Sequence, residues 1–334
     1  MNFARLEPAA APRPGAKPGV AAWAGVDADG EKKDFHRARA RSGYGGQPAP
    51  LPGPRSKAGL HGQDQETDMN TEGVGGYEDR LNQYLRLNTF PVAVRFLRSW
   101  DEAPARARRP ARDLGNRITT CQAISLSRRY GWVMALGRED SSCVLGAVAL
   151  GLEKRLPHYV EGNLCIDLYT DSLQAGRASE ESVPRLPEGR YVGVVTAPLG
   201  RATFVPDSVI VYGNGAQVMR LGQGYRWKRG GTLKSEFRGR IDCADLAIAP
   251  VVSGEPQMIV PCTGDRIFGQ VQDHEVAFSF PFSLIDEILE GMEATHRAGT
   301  RYPVTNWLNY TAQFPQSYDE YRRIVEEAGP PAGE

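Results

Sequence analysis

The composition of the chain changes abruptly near Met69, and this change limits which part of the sequence can form a packed core. Among residues 1–68, 31 are Ala, Gly or Pro, seven are Leu, Val or Phe, and none is Ile. Such a segment cannot bury enough apolar surface to offset the entropy that is lost when it is ordered. The sequence therefore predicts a disordered leader over residues 1–68. A further hypothesis is that this leader is translated from upstream of the native start, with Met69 as the natural first residue.

Residues 69–334 are predicted to form a single domain, and the composition excludes several classes of protein. The chain has 40 basic and 40 acidic residues, whereas a nucleic-acid coat would carry a basic excess. It contains no run of about 18 apolar residues, which a spanning helix requires, and it begins without the apolar stretch of a secretory signal. Its five cysteines are an odd number, which favours reduced thiols. We therefore predict a cytoplasmic protein that binds neither nucleic acid nor a membrane.

Strand and helix patterns alternate from Tyr77 to the end of the chain. An Arg-, Ala- and Pro-rich stretch over residues 99–116 has no periodicity and is predicted to be an exposed excursion. The alternation predicts a layered α/β or α+β fold in which helices pack on a mixed sheet. The predicted helices are 77–85, 120–130, 142–152, 216–222, 244–251 and 282–292, and the predicted strands are 90–97, 132–136, 191–196, 208–212, 257–260 and 275–280.

Three cysteines stand at similar junctions between these elements. Cys121 follows Thr120 at the start of a predicted helix, and Cys143 follows Ser142 at the start of the next helix. Cys262 follows a proline at the end of a predicted strand. A thiol in the first turn of a helix lies near the positive end of the helix dipole, which favours its ionised form. All three are therefore candidate thiolates.

The spacing of the cysteines excludes the commonest metal-binding modules. There is no Cys-x-x-Cys pair, so neither a zinc ribbon nor a thioredoxin-type motif is present. Ligands from distant loops can still converge. We predict a site formed by Cys121, Cys143 and Cys262 that holds a single metal ion or an iron–sulfur cluster, with Cys165 lying apart and Cys243 intermediate. The competing interpretation is that small buried cysteines only fill the core.

A Gly-Asn-Gly turn, Gly213, Asn214 and Gly215, follows the predicted strand 208–212. Backbone amides at the start of the next helix could hold an anion there, so these three residues are a candidate cofactor- or ligand-binding turn. The turn is not a dinucleotide-binding motif, because Val218 stands where the third glycine would be. The competing interpretation is a tight turn that needs a positive φ at glycine.

Taken in order, these motifs resemble the prokaryotic family catalogued as domain of unknown function 169. The resemblance extends from about Tyr77 to the C-terminus and leaves out residues 1–68. It places Cys121, Cys143 and Cys262 on motif positions of the family and implies little about chemistry. It rests on Pro91-Val92-Ala93-Val94, Cys121-Gln122, Cys143 with Leu150-Gly151-Leu152, residues 206–221, residues 261–266, Asp273-His274-Glu275 and Phe280-Pro281.

Two classes of function fit these observations. The first is a redox or metal-dependent protein whose site gathers the three cysteines. The second is a non-catalytic protein that binds a small molecule or a partner, in which the cysteines are structural and the Gly-Asn-Gly turn holds an anionic ligand. A brown colour or stoichiometric metal after anaerobic purification would favour the first class.

Overall fold

The computed structural model describes residues 74–304 and 313–330. The predicted disorder of the leader and the predicted start at Met69 lie outside the described residues. Among the described helices, none combines the length and the apolarity that crossing a lipid bilayer would require.

A six-stranded antiparallel sheet forms the centre of the fold. Its strands lie side by side in the order β2-β3-β1-β4-β6-β5, and every pair between them is antiparallel. The layered α+β class is confirmed, but the sheet is antiparallel instead of mixed. Strand direction depends on where each connection crosses the sheet, which local sequence patterns do not record. The strands are β1 (Val92–Leu97), β2 (Met134–Gly137), β3 (Gly193–Pro198), β4 (Ser208–Gly213), β5 (Gln257–Ile259) and β6 (Val276–Pro281).

Helices cover both faces of the sheet, which explains why β3 and β4 are buried throughout and β1 is buried except at Arg95. In β4, Val209 and Val211 face one core cluster, while Ile210 and Tyr212 face the other, as the two-residue period of a strand requires. The helices are α1 (Val74–Leu85), α2 (Thr120–Tyr130), α3 (Val144–Ala149), α4 (Pro157–Val160), α5 (Leu173–Glu181), α6 (Gly215–Arg229), α7 (Ala249–Ser253), α8 (Thr263–Gly269), α9 (Ile285–Arg297) and α10 (Gln316–Ala328).

The two faces of the sheet carry different sets of helices. One core cluster joins the sheet to α1, α6 and α9. The other joins it to α2 and to the π-helical segment Ala244–Ile248, which continues directly into α7. Helix α8 packs against α2 on this second face. The helical segments that begin at or near Cys121, Cys143, Cys243 and Cys262 lie together on this face.

Several elements differ from the sequence predictions for physical reasons. Helix α3 is shorter than predicted, and α6 continues seven residues beyond its predicted end. Helices α5 and α8 were not predicted. Both are short and contain glycine, and so few turns do not reveal a helical periodicity. The stretch 99–116 is tied to the domain, because the buried Asp140 accepts hydrogen bonds from Arg109 Nε, at 2.8 Å, and from the Ala111 amide, at 3.0 Å.

Candidate functional site

Four of the five cysteines line one cavity of about 390 Å³ on the second face of the fold. The cavity lies between the starts of α2, α3 and α8 and the segment that leads into the π-helical turn. Cys121, Cys143 and Cys262 are all present, together with Cys243, whereas Cys165 is not. The remaining lining is mostly apolar or small: Thr119, Gln122, Ser142, Leu145, Tyr169, Ile241, Gly264 and Phe268.

Each of these cysteines begins or nearly begins a helical segment. Cys121 is the second residue of α2, whose start is closed by a capping box between Thr119 and Gln122. Cys143 is the N-cap of α3, and its sulfur accepts a hydrogen bond from the Gly146 amide at 3.4 Å. Cys262 is the N-cap residue of α8, and Cys243 directly precedes the π-helical turn. The cavity therefore receives four thiols from chain segments that are far apart in sequence.

Gly146 provides space between two of the sulfurs. A Cβ atom built on Gly146 would lie 3.5 Å from Cys243 Sγ and 3.7 Å from Cys143 Sγ, so both sulfurs lie close to one point. The Cys121 side chain is a hydrogen-bonding neighbour of Cys243. The sequence predicts that Cys121, Cys143 and Cys262 come from separate junctions and converge. The structure places all three in the lining of this cavity, and their role as ligands stays a prediction.

The pKa values of the four cavity thiols are raised, contrary to the thiolates that were expected at helix starts. The pKa of Cys121 is raised well above the ordinary value by a hydrogen bond to Cys243 and by burial. Burial raises the pKa of Cys143 and raises the pKa of Cys262 to about 12, with the nearby Asp242 carboxylate adding to the second shift. The expectation was wrong because the cost of burying a charge exceeds the benefit of a helix start.

The side chains of Cys121 and Cys243 shift each other's pKa in opposite directions. The hydrogen bond from Cys121 lowers the pKa of Cys243, but burial and the surrounding thiols outweigh this effect, so the pKa is raised overall. Of the two thiols, Cys243 is therefore the one whose ionised form is better stabilised by its partner. All five cysteines are free of disulfides.

Two buried carboxyl groups lie beside the thiols. Asp242 Oδ2 accepts a hydrogen bond from the Cys262 amide, while Asp242 Oδ1 has no hydrogen-bond partner among the described residues. Burial raises the pKa of Asp242 to about 7. Burial also raises the pKa of Asp265 to about 6, although Tyr212 donates a hydrogen bond to Asp265 Oδ2 at 2.8 Å. The surroundings of the cavity are thus rich in buried acidic groups as well as in thiols.

A buried ion pair connects the base of the site to the sheet. Arg128 on α2 is fully buried. Its Nη1 lies 2.7 Å from Oε1 of Glu275, the residue just before β6. Its guanidinium carbon lies 4.1 Å from the centre of the Tyr212 ring on β4. Because Tyr212 in turn bonds to Asp265 on α8, these contacts fix α2 and α8 relative to the central strands.

The side chains around the cavity are not spaced for metal coordination in this conformation. Across residues 74–304 and 313–330, no three His, Cys, Asp or Glu side chains lie close enough together to hold a metal ion. A metal centre here would require the cysteine side chains to rotate toward a common point.

The Gly-Asn-Gly turn is a helix cap. Asn214 is the N-cap of α6 and its side chain accepts hydrogen bonds from the amides of Ala216, at 2.9 Å, and Gln217, at 3.0 Å. In return, Gln217 Oε1 accepts a hydrogen bond from the Asn214 amide at 2.7 Å. Neither Gly213 nor Gly215 has a positive φ, so that expectation was wrong. The bonded amides are not available to an anion in this conformation, and the ligand-binding role of Gly213, Asn214 and Gly215 stays a prediction.

Cys243 is the site residue that sequence reasoning missed. Cys121 and Cys143 follow Thr and Ser, whereas Cys243 follows Asp242. No hydroxyl residue therefore marked Cys243 as the start of a helical segment. The available signal was its position immediately before the mostly apolar run Ala244-Asp245-Leu246-Ala247-Ile248, which places it at the start of a buried helical turn.

The fold and the cavity define an α+β protein with a cavity lined by four cysteines on one face of an antiparallel sheet. The chain belongs to the DUF169 family, described as "Uncharacterised ArCR", which matches residues 80–291 and so includes all four cysteines of the cavity. It is 27% identical over 218 residues to the uncharacterized protein MJ0308 of Methanocaldococcus jannaschii, a match that covers 64% of this chain and 91% of that protein. No solved structure matches the chain.

Proposed function

We propose that the cavity binds a thiophilic metal ion or an iron–sulfur cluster through Cys121, Cys143, Cys243 and Cys262. The observation that supports this proposal is that four of only five cysteines in the chain line one cavity. Packing alone gives no reason for thiols from four separate segments to meet. The reduced state of these thiols suits a reducing compartment, so the proposal includes a cytoplasmic location.

Thiolates are the ligands that soft metal ions and iron–sulfur clusters prefer in proteins. A metal ion would draw each bound sulfur to about 2.3 Å and would replace its proton. The sulfurs of Cys143 and Cys243 already flank the open space at Gly146, so rotation about their χ1 angles is the motion that coordination requires. The small and apolar lining around them limits competition from water.

A dithiol–disulfide reaction is a second candidate, which the contact between Cys121 and Cys243 favours. In this reaction the two thiols would be oxidised to one disulfide while a disulfide of a substrate would be reduced to two thiols. Such a reaction needs only two of the four cysteines. It therefore accounts for less of the geometry than a metal centre does.

The test is the metal and acid-labile sulfide content of the full chain purified without oxygen. We expect close to one metal ion or one cluster per chain, with loss of most of it in Cys121→Ser, Cys143→Ser, Cys243→Ser and Cys262→Ser. Cys165→Ser is the matched control, because Cys165 is buried, as Cys243 and Cys262 are, but lies outside the cavity. This control should keep its metal.

Absence of metal, both after anaerobic purification and after reconstitution with Zn²⁺ or with Fe²⁺ and sulfide, would contradict the proposal. A fall of two mass units on treatment with an oxidised dithiol, lost in Cys121→Ser and Cys243→Ser but not in Cys143→Ser, would then favour the disulfide reaction. If neither result is found, the cysteines are packing residues and the binding-protein alternative is the better account.

A further inference from the structure

A second cavity, of about 380 Å³, lies at the C-terminal end of α2, whereas the cysteine cavity lies at its N-terminal end. Its lining is basic and aromatic. It includes Arg106, Arg108 and Arg201 together with Tyr130, Gly131 and Trp132. None of these residues takes part in the cysteine site, so this cavity is independent of the function proposed above.

The backbone of Arg108 is fixed beside the sheet. Its amide donates to the Val133 carbonyl at 2.9 Å, and its carbonyl accepts from the Ala135 amide at 3.0 Å. The guanidinium of Arg108 stacks on Trp132, with its central carbon 3.8 Å from the ring centre. A guanidinium stacked in this way is held in place while its edge N–H groups remain able to donate.

The other two arginines are held by backbone carbonyls. Arg201 Nη1 donates to the Gly131 carbonyl at 2.9 Å, and Arg106 Nη2 donates to the Arg201 carbonyl. Gly131 has φ of +71°, and a Cβ atom built on it would lie 2.6 Å from Arg201 Nη1. Since a guanidinium has five N–H donors, each of these arginines retains donors beyond the single bond that positions it.

The positive charge of the three arginines is not neutralised by neighbouring side chains. Within the part of the chain that the structure describes, none of them has a carboxylate within ion-pair distance. By contrast, Arg109 pairs with Asp140 and Arg112 pairs with Asp113. The Glu78 carboxylate bonds to the Gly200 amide at 2.7 Å and is not at ion-pair distance from Arg201.

We propose that this cavity binds a nucleotide, with its phosphate groups on the three arginines and its base against Tyr130. Guanidinium groups bind phosphate oxygens through paired, charge-assisted hydrogen bonds. Tyr130 is 55% exposed, so its ring can stack on a planar base, an interaction that does not depend on base identity. A concave site of this volume and a chain with no net charge fit a small ligand better than a nucleic-acid polymer.

The test is calorimetric titration of the full chain with ATP and with tripolyphosphate. We expect ATP to bind, and Arg108→Gln and Arg201→Gln each to weaken its binding about tenfold or more, because each removes charge-assisted hydrogen bonds to phosphate. Arg112→Gln is the control, since this arginine lies in the same stretch but outside the cavity. It should change the affinity by less than about twofold, as expected for a screened surface charge.

The ring contact is tested by comparing the two ligands. ATP should bind more tightly than tripolyphosphate, and Tyr130→Ala should remove this difference while the melting temperature stays unchanged. The proposal is wrong if ATP does not bind, if tripolyphosphate binds as tightly as ATP, or if Arg112→Gln weakens binding as much as the cavity variants do. Tighter binding of a single-stranded RNA than of ATP would also overturn it, in favour of a polymer surface.

Discussion

At the scale of single residues, Gly146 is the position where a substitution should change metal binding without lowering the stability of the domain. It lies in the short helix α3, and its missing side chain leaves open space between the sulfurs of Cys143 and Cys243. Any ion held by both sulfurs would have to use this space. A glycine in a helix otherwise lowers stability, so its presence here costs about 1 kcal/mol relative to alanine.

Gly146→Ala should therefore keep or slightly raise the melting temperature and should lower the metal content sharply. The nearest atoms to the new methyl group would be at 3.4 to 3.7 Å, which is ordinary van der Waals contact. The matched control is Gly222→Ala in α6, where the closest atom to the new Cβ is at 3.9 Å and no sulfur is near. Thermal melts and metal analysis of both variants check the prediction, and retention of full metal by Gly146→Ala would count against a centre at this point.

The buried pair of Arg128 and Glu275 makes stability depend on pH. Burial by itself would raise the pKa of Glu275, but hydrogen bonds from Arg128 and from the Gln272 amide outweigh it and hold the pKa below the ordinary value. Because the folded pKa is lowered, the stabilisation is present above the ordinary glutamate pKa. It is lost as the pH falls through the folded pKa.

Glu275→Gln should lower the free energy of unfolding by about 3 kcal/mol near pH 7, because it leaves a buried guanidinium without its counter-charge. The difference from the unsubstituted protein should shrink as the pH falls through the lowered folded pKa of Glu275, because Glu275 in the unsubstituted chain then also becomes neutral. Denaturant unfolding at several pH values measures this. Glu293→Gln, which removes an exposed pair with Arg297, should cost less than about 0.5 kcal/mol at every pH. A cost for Glu275→Gln that does not change with pH would contradict the assignment.

At the scale of elements, the starts of α2 and α6 make contacts that position these helices on the two faces of the sheet. Helix α2 begins at the cysteine cavity and ends at the arginine cavity, and its buried Arg128 anchors it to the sheet between them. Helix α6 begins on the other face with the Asn214 capping box, where Gln217 Nε2 also donates to the Leu85 carbonyl at the end of α1 at 2.9 Å. A change in either cap should therefore affect packing as well as helix formation.

Asn214→Ala should lower the free energy of unfolding by about 1 kcal/mol, because it removes the acceptor for two amides at the start of α6. Gly215→Ala is the matched comparison in the same turn. It should be close to neutral, since a new Cβ there meets no atom within 4 Å and the residue does not have a positive φ. Equilibrium unfolding of both variants tests the cap. Equal destabilisation would show that the turn is strained in a way that the capping box does not explain.

At the scale of the whole molecule, the composition break near Met69 predicts that the leader does not contribute to the stability of the domain. A variant that begins at Met69 should melt at the same temperature as the full chain, since residues 1–68 hold too few large apolar side chains to bury a significant area. Calorimetry of both chains checks this. A decrease of several degrees on deletion would show that the leader packs on the domain.

Local patterns were sufficient for those features that depend on neighbouring residues. The strand β4 and the thiol-bearing start of α2 could be predicted, because a run of β-branched residues and a helix cap span only a few residues. The capping role of Asn214 could have been recognised too, from Gln217 three residues later. The glycines on either side of Asn214 suggested a positive φ instead, and neither has one.

The sequence by itself determined a layered fold of the α/β or α+β class, the core strands and the cysteines at the starts of α2 and α3, since each depends on patterns among residues close in the chain. The tertiary structure alone decided that the sheet is antiparallel, that Cys243 joins Cys121, Cys143 and Cys262, and that the pKa values of these thiols are raised. These features depend on which distant segments meet and how deeply they bury one another. Long-range pairing and desolvation are properties of the assembled fold, and no short window of sequence contains them.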